Sequence, residues 1–382
     1  MTMNRIKSDK IILKDRIVSG YVYFDNGIID AVTDAEMPYD AEYDYTGKYV
    51  SPGFIDIHTH GAGGCDFGET ADDVIKAVQC QLKHGATTIY PTIAAAPMAD
   101  MRRSVCEIKS VMDGKLVDAN IPGIHMEGPY FSAKQAGAQC PDFIKNPDKS
   151  EYIPIIEEFG DYIARWAYAP ENDIGHEFCK YIVSKGMISS AGHTDAIYDD
   201  MLGAMDAGCN LITHLYSCTS TITRDHGFRR LGVIETAFLH DDMYVEIIAD
   251  GKHLPPELIK LILKIKGTDK VALVTDSQAP AGTDVKQGIM GATEYIVEDG
   301  VCKLLDRSAF AGSIATADRL VRVIVNEVGE TLCNAVKMIT AVPAQIMKLN
   351  KGELAAGKDA DIVVFDDGIN VSDVFVMGNK VI

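Results

Sequence analysis

Apolar and polar positions alternate differently in two parts of the chain. Over residues 10–50 the pattern is short β-type runs at 10–13, 16–23 and 28–32, with Asn26-Gly27 as a tight turn before the last and no helical period anywhere. From Tyr49 onward it becomes strand followed by helix, repeated. Eight apolar, β-branched runs stand out, at 54–58, 87–93, 123–127, 163–169, 187–192, 211–215, 244–249 and 271–275. Between them lie amphipathic stretches such as 72–84, 98–112, 197–207 and 256–266, with apolar residues at helical spacing. Eight strand-helix units predict an α/β fold of the (β/α)8 TIM barrel type, whose usual size of about 250 residues suits the segment from 54 to 350. An open, doubly wound sheet is the competing arrangement. Residues 351–382 return to short β runs at 362–365 and 374–377, so the two chain ends (1–53 and 351–382) are expected to form one small β-sandwich domain beside a barrel domain of 54–350.

Polar residues punctuate the ends of these runs. The stretch P-G-F-I-D-I-H-T-H, residues 52–60, leaves an apolar strand carrying His58 and His60 two positions apart, so both imidazoles point the same way. The third run ends in Glu127, the fifth in His193, the sixth in His214 and the eighth in Asp276, while Asp250 closes the seventh with His253 just beyond. In a barrel of this kind the active site lies at the C-terminal ends of the strands. Each residue taken singly also reads as a satisfied core histidine, a surface histidine or a helix cap. Taken together, four imidazoles and a carboxylate suffice to ligate two divalent ions, with Glu127 bridging and Asp276 left as a base.

Composition narrows the options further. Hydrophobic residues make up 47% and charged residues 24% of 382, which fits a globular chain with a sizeable core. The net charge of 36 − 55 = −19 disfavours a phosphate-backbone partner and argues against nucleic acid. No apolar run is long enough to span a membrane, and the first dozen residues lack the apolar core of a secretion signal, so a cytoplasmic protein is expected. Nine scattered cysteines without C-x-x-C spacing are expected to be reduced and mostly buried. There is no G-x-S-x-G elbow and no phosphate-binding G-x-x-x-x-G-K-[ST] loop, and Gly61-Ala62-Gly63-Gly64 reads as a flexible loop beside the metals.

Across P-G-F-I-D-I-H-T-H, H-M-E-G-P, A-G-H-T, T-H-L-Y, A-D-G-K-H, T-D-S and the ending G-E-L-A-A-G-K-D-A-D-I-V-V-F-D, the chain resembles the amidohydrolase superfamily, and within it the family that deacetylates N-acetylglucosamine 6-phosphate. The resemblance spans nearly the whole sequence. The fourth run, I-A-R-W-A-Y-A-P-E, has no lysine, which sets it apart from the cyclic-amide branch with its carboxylated lysine. The resemblance implies that Glu127, His193 and His214 are the principal metal ligands, with zinc or iron bound. It implies a second ion on His58 and His60, Asp276 as catalytic base and His253 as a contact to the substrate carbonyl. It further implies substrate contacts from Gly137, Ala138 and position 217, and a homodimer in which an arginine reaches the neighbouring subunit's site.

The chain departs from that pattern in places. Ser217 replaces an asparagine that helps bind the phosphosugar, Gln139 follows Gly137-Ala138 where histidine is common, and T-R-D-H-G-F-R-R-L-G (223–232) replaces H-R-E-P-G. Arg224, Arg229 and Arg230 in that segment are candidates for reading phosphate, since guanidinium forks match its oxygens, although a short basic run is also an ordinary solvated loop. These changes keep other substrates open: N-acetylgalactosamine 6-phosphate, an unphosphorylated amino sugar or an N-acyl-D-amino acid. A non-catalytic barrel used as a binding module is a further alternative, marked by loss of ligand residues, and none of the expected ones is missing.

Overall fold

The computed structural model describes residues 3–290 and 293–382. All eight expected strands form one parallel sheet, in the chain order Phe54–Thr59, Ala86–Ile93, Ile124–Glu127, Ile163–Tyr168, Ile188–Ala191, Leu211–Ile212, Tyr244–Ile248 and Val271–Val274. The first and eighth meet to leave a nearly closed barrel, where Asp276 N donates to His58 O at 2.9 Å and Thr275 Oγ1 donates to Asp56 Oδ2 at 2.5 Å. Inside the barrel Ile55, Ile57, Tyr90, Leu211, Ile248 and Val274 pack together, with Val342 and Ile346 of helix Ala341–Ile346 in the same cluster. The outer layer follows from helical periodicity: in Ala71–Lys83 the side chains of Val74, Ala77, Val78 and Leu82 share the buried face, and Thr70 caps the N-terminus by accepting from Asp73 N. The larger of these, Val74, Val78 and Leu82, each contribute about 1.5–3 kcal/mol by leaving water.

The chain ends combine into one eight-stranded mixed sheet. Strand Asn4–Ile12 pairs antiparallel with Ile17–Asp25 on one edge, and on the other runs parallel first to Ala41–Asp44 and then to Tyr49–Pro52. Tyr49–Pro52 in turn pairs antiparallel with Ile362–Phe365 of the C-terminal segment. This branched sheet encloses its own core of Ile6, Val22, Phe24, Val50, Ile362 and Phe375, with Phe24 and Tyr43 meeting the Phe375 ring edge-on. The first strand starts six residues before the expected run at 10–13. Its charged residues hid it, because Arg5 is buried beneath Tyr21 and Tyr39 and paired with Glu42.

Three expectations change. The glycine-rich segment is no loose loop: Gly61–Ala62 pairs with Cys65–Asp66 across a two-residue turn whose Gly63 and Gly64 have φ of +64° and +85°. Gly63 N and Gly64 N are fixed to Ala281 O and Ala279 O at 2.8 and 2.7 Å. The cysteines are all free, but only Cys179, Cys209 and Cys302 are fully buried and Cys106 is exposed. Two small antiparallel elements also appear on the strand-end side of the chain path: an exposed hairpin, Thr223–Asp225 with Phe228–Arg230, after the sixth strand, and a three-stranded sheet, Gln287–Met290, Thr293–Glu298 and Val301–Leu304, after the eighth. Among the described residues no helix is long and apolar enough to cross a membrane.

Candidate metal centre

Strand geometry alone brings the first two donors together. His58, in the first strand, and His60, one residue past its end, point to the same side, their ring centroids 5.3 Å apart, and both are buried. Glu127 ends the third strand. His193, His214 and Asp276 each stand just past a strand end with φ of +45°, +30° and +45°. A left-handed backbone at a residue other than glycine costs of order 1–3 kcal/mol, and such strain gathers at functional sites. Three of these residues around one barrel mouth mark it as such a place.

The donor atoms converge on Glu127. Its Oε1 lies 3.1 Å from His214 Nε2, 3.3 Å from His193 Nε2 and 3.3 Å from His58 Nε2, while Oε2 lies 3.3 Å from His60 Nε2. Asp276 Oδ1 is 3.3 Å from His60 Nε2 and 3.5 Å from His58 Nε2, so it joins the cluster rather than standing apart from it. Two ligand groups result, His58, His60 and Asp276, and His58, Glu127 and His214, each with its donor atoms within 4.8 Å of one another. The far side of three rings is engaged: His193 Nδ1 with Gln135 O at 2.9 Å, His214 Nδ1 with Ser217 O at 3.0 Å and His58 Nδ1 with Glu246 Oε2 at 3.4 Å. Each Nε2 is thereby turned inward, as second-layer partners do for metal-binding imidazoles. His58 Nε2 is buried with no hydrogen-bond partner. A buried polar atom left in that state fits a cation as its missing partner.

Charge tells the same story. Burial alone would raise the Glu127 carboxyl, but the surrounding imidazoles, His58 first, hold it well below the usual carboxylate range. Burial likewise opposes charging of His58 and His60, yet Glu127 and Asp276 push them up to about 9 and about 10. The site thus draws positive charge inward, and a divalent cation competes for the same places as those protons. His214, where burial dominates, is shifted down, toward the neutral form that serves as a ligand.

The cluster opens into a cavity of about 260 Å³, whose wall includes Gly137, Ala138, Ser217, Cys218, His253 and Phe310. Gly137 has φ of +59°, and a Cβ there would meet Cys218 Sγ at 2.4 Å, so only glycine fits. His253 Nδ1 bonds Asp250 Oδ2 at 2.9 Å, and the ring packs edge-on against Phe310. Asp250 Oδ1 is occupied by the Lys252 and His253 amides at 2.8 and 2.9 Å. Arg229 and Arg230 do not line the cavity of their own chain: Arg230 pairs with Asp225 at 2.6 Å on the exposed hairpin, and Arg229 donates to Gly227 O. Among the described residues lining it there is no lysine or arginine.

Sequence reasoning missed the supporting layer. Gln139 donates from Nε2 to Glu127 Oε2 at 2.7 Å and accepts from Ala95 N at 2.9 Å, a role no spacing rule announces. Arg165 and Glu246 form a fully buried pair below the cluster. Their signal was present, since each is a charge inside a run that otherwise reads as a buried strand.

The model of the Amidohydrolase family matches residues 49–381. The chain is 31% identical to the N-acetylglucosamine-6-phosphate deacetylase of Bacillus subtilis (strain 168), over 98% of this chain and 96% of that protein. It is 29% identical to the N-acetylgalactosamine-6-phosphate deacetylase of Shewanella sp. (strain ANA-3), over 96% and 90%. Among solved structures it superposes on the N-acetyl-D-glucosamine-6-phosphate deacetylase of Mycobacterium smegmatis with a TM-score of 0.92 and 28% identity, each chain covered in full.

Proposed function

We propose that this chain, which belongs to the amidohydrolase family, hydrolyses the acetamide of N-acetylglucosamine 6-phosphate, giving glucosamine 6-phosphate and acetate. The observation that carries the reading is the convergence of four imidazole Nε2 atoms on Glu127, with Asp276 beside them and a cavity above. Glu127, His193 and His214 would hold one divalent ion, zinc or iron, and His58 and His60 a second. Such an ion lowers the pKa of a coordinated water from about 15.7 to about 7 and polarises a carbonyl oxygen.

The protein's own groups do the rest. Asp276, ionised and 3.3 Å from His60, accepts the proton of the attacking water and returns it to the departing nitrogen, so one carboxylate serves as base and then acid. His253, whose Nδ1–H is bonded to Asp250, stabilises the carbonyl oxygen as negative charge develops there, and to donate from Nε2 it acts as the imidazolium with a proton on each ring nitrogen. Gly137, Ala138 and Ser217 shape the sugar subsite. The phosphate needs positive charge that the cavity wall does not supply, and the exposed hairpin with Arg224, Arg229 and Arg230 of a second copy in a homodimer supplies it.

Acetate release tests the reading. Chelation should abolish turnover of N-acetylglucosamine 6-phosphate, and added zinc or iron should restore it. Full turnover by protein shown to be metal-free by elemental analysis overturns the metal reading. A higher kcat/KM for N-acetylgalactosamine 6-phosphate, for an unphosphorylated sugar or for an N-acyl-D-amino acid moves the assignment to that substrate.

A further inference from the structure

A charged pair lies on the barrel axis beneath the cluster. Arg165, from the fourth strand, donates from Nη1 to Glu246 Oε1 of the seventh and to Ile57 O at 3.3 Å, from Nε to Ser190 Oγ at 3.1 Å and from Nη2 to Thr213 Oγ1 at 2.9 Å. All three guanidinium nitrogens are thus held, by residues of the first, fifth and seventh strands and by Thr213 just past the end of the sixth. Stability does not explain the pair, because a buried ion pair is seldom better than apolar residues of the same volume. The other Glu246 oxygen explains it better. Oε2 faces His58 Nδ1 at 3.4 Å and accepts from the His214 amide at 3.3 Å. Among the described residues no other acceptor is bonded to that imidazole nitrogen, and the neighbouring ring, His125, turns its own Nδ1 to Thr92 Oγ1.

We infer that Glu246, held in place by Arg165, is a positioning residue for the ion carried by His58 and His60. The carboxylate accepts a hydrogen bond from Nδ1–H of His58, which fixes the ring with the unprotonated Nε2 toward Glu127 and Asp276 and makes Nε2 the better metal donor. Arg165 fixes the carboxylate in direction through its hydrogen bond to Glu246 Oε1. The inference rests on the metal reading above, and metal content tests it separately from turnover.

The experiment loads the full-length protein with zinc, counts ions by elemental analysis and measures the affinity of each by competition with a chromophoric chelator. Arg165→Met combined with Glu246→Leu removes both charges and nearly keeps the volume, so the fold should be retained while the second ion binds about 10–100-fold more weakly and the first, linked to the pair only through Thr213 and the His214 amide, is weakened less. Glu246→Asp is the companion variant: it keeps the charge opposite Arg165 but draws the carboxylate back from His58, and should weaken the same ion. If the double variant does not fold, Glu246→Asp decides alone. Two ions bound at parental affinity in either folded variant overturn the inference. A parent protein that binds no zinc overturns the metal reading itself, and one that binds a single ion overturns only the role of Glu246.

Discussion

Asp276→Asn isolates the proton transfer. The substitution keeps size and shape, and the backbone bonds that place the residue, Asp276 N to His58 O and Ser313 N to Asp276 O, are unaffected. What it removes is a proton acceptor and one negative charge 3.3 Å from His60 and 3.5 Å from His58. General acid–base catalysis contributes about 10²–10⁴ in rate, or about 2.7–5.4 kcal/mol of barrier. A kcat lowered by at least a hundredfold is therefore expected in acetate release at saturating substrate. Losing the charge also weakens the nearby ion, so the assay adds excess zinc and confirms the ion count. Burial would raise the Asp276 carboxyl, but His58 and His60 outweigh it and hold it below the ordinary value. The base form is therefore present throughout neutral and mildly acidic pH, and the parent should show no loss of rate from this group down to pH 5. A metal-replete variant that keeps a tenth or more of parental kcat would refute the assignment. Asp250 would not then be a ready substitute, since both of its oxygens are already committed to the turn that carries His253.

Asp56 gives a pH test of the folded state. Its burial, only partly offset by the bonds from Thr275 and His58, pushes its pKa up to about 6, so the fold holds the proton more tightly than the unfolded chain does. Stability from this group is full below about pH 3.9 and is lost as pH rises through about 6, by about 3 kcal/mol for a shift of about two units. Denaturant unfolding of metal-free protein should show the parent losing that much between pH 4 and 7 relative to Asp56→Asn; a difference independent of pH would contradict it. Gln139→Leu leaves the Ala95 amide unpaired and strips a donor from Glu127, with about 1–3 kcal/mol lost for the orphaned group alone, and an unchanged melting temperature would show that water replaces it. Arg229→Ala and Arg230→Ala should raise KM for the 6-phosphate sugar by about 10–150-fold, the range of a charged hydrogen bond, and leave the unphosphorylated sugar nearly untouched. Equal effects on both substrates would remove the hairpin from phosphate recognition.

The barrel was legible because each of its strands is buried on both faces, and a strand so placed reads as a continuous apolar run bounded by turns. Strands with one wet face were harder. Asn4–Ile12 carries a single apolar residue, Ile6, among polar and charged ones before its closing Ile11 and Ile12, so only its last part was recognised. The hairpin Thr223–Asp225 with Phe228–Arg230 has three-residue arms, both largely exposed, and neither carries the period that identifies a strand. The glycine segment was read from its freedom, whereas its amides are bonded to the loop after the eighth strand, a partner more than 200 residues away.

The donors at the strand ends were legible for a related reason: a polar residue where an apolar run stops has few purely structural explanations, and six runs stop that way. The layer below them carried a stronger cue that strand-end reasoning passes over. Asp56, Arg165 and Glu246 each interrupt the apolar interior of a strand, and burying any one of them alone would cost several kcal/mol. Separately they look like exceptions to the barrel pattern. In space they all touch the first strand: Asp56 Oδ1 accepts the His58 amide at 3.4 Å, Arg165 donates to Ile57 O, and Glu246 faces the His58 ring. Charges that are costly one at a time become tolerable when they compensate one another, and Arg165 and Glu246, from two distant runs, can do so only if the fold brings them to one point. That point is the strand bearing His58 and His60, so misplaced charges inside apolar strands identify the floor of the site as surely as the histidines identify its mouth.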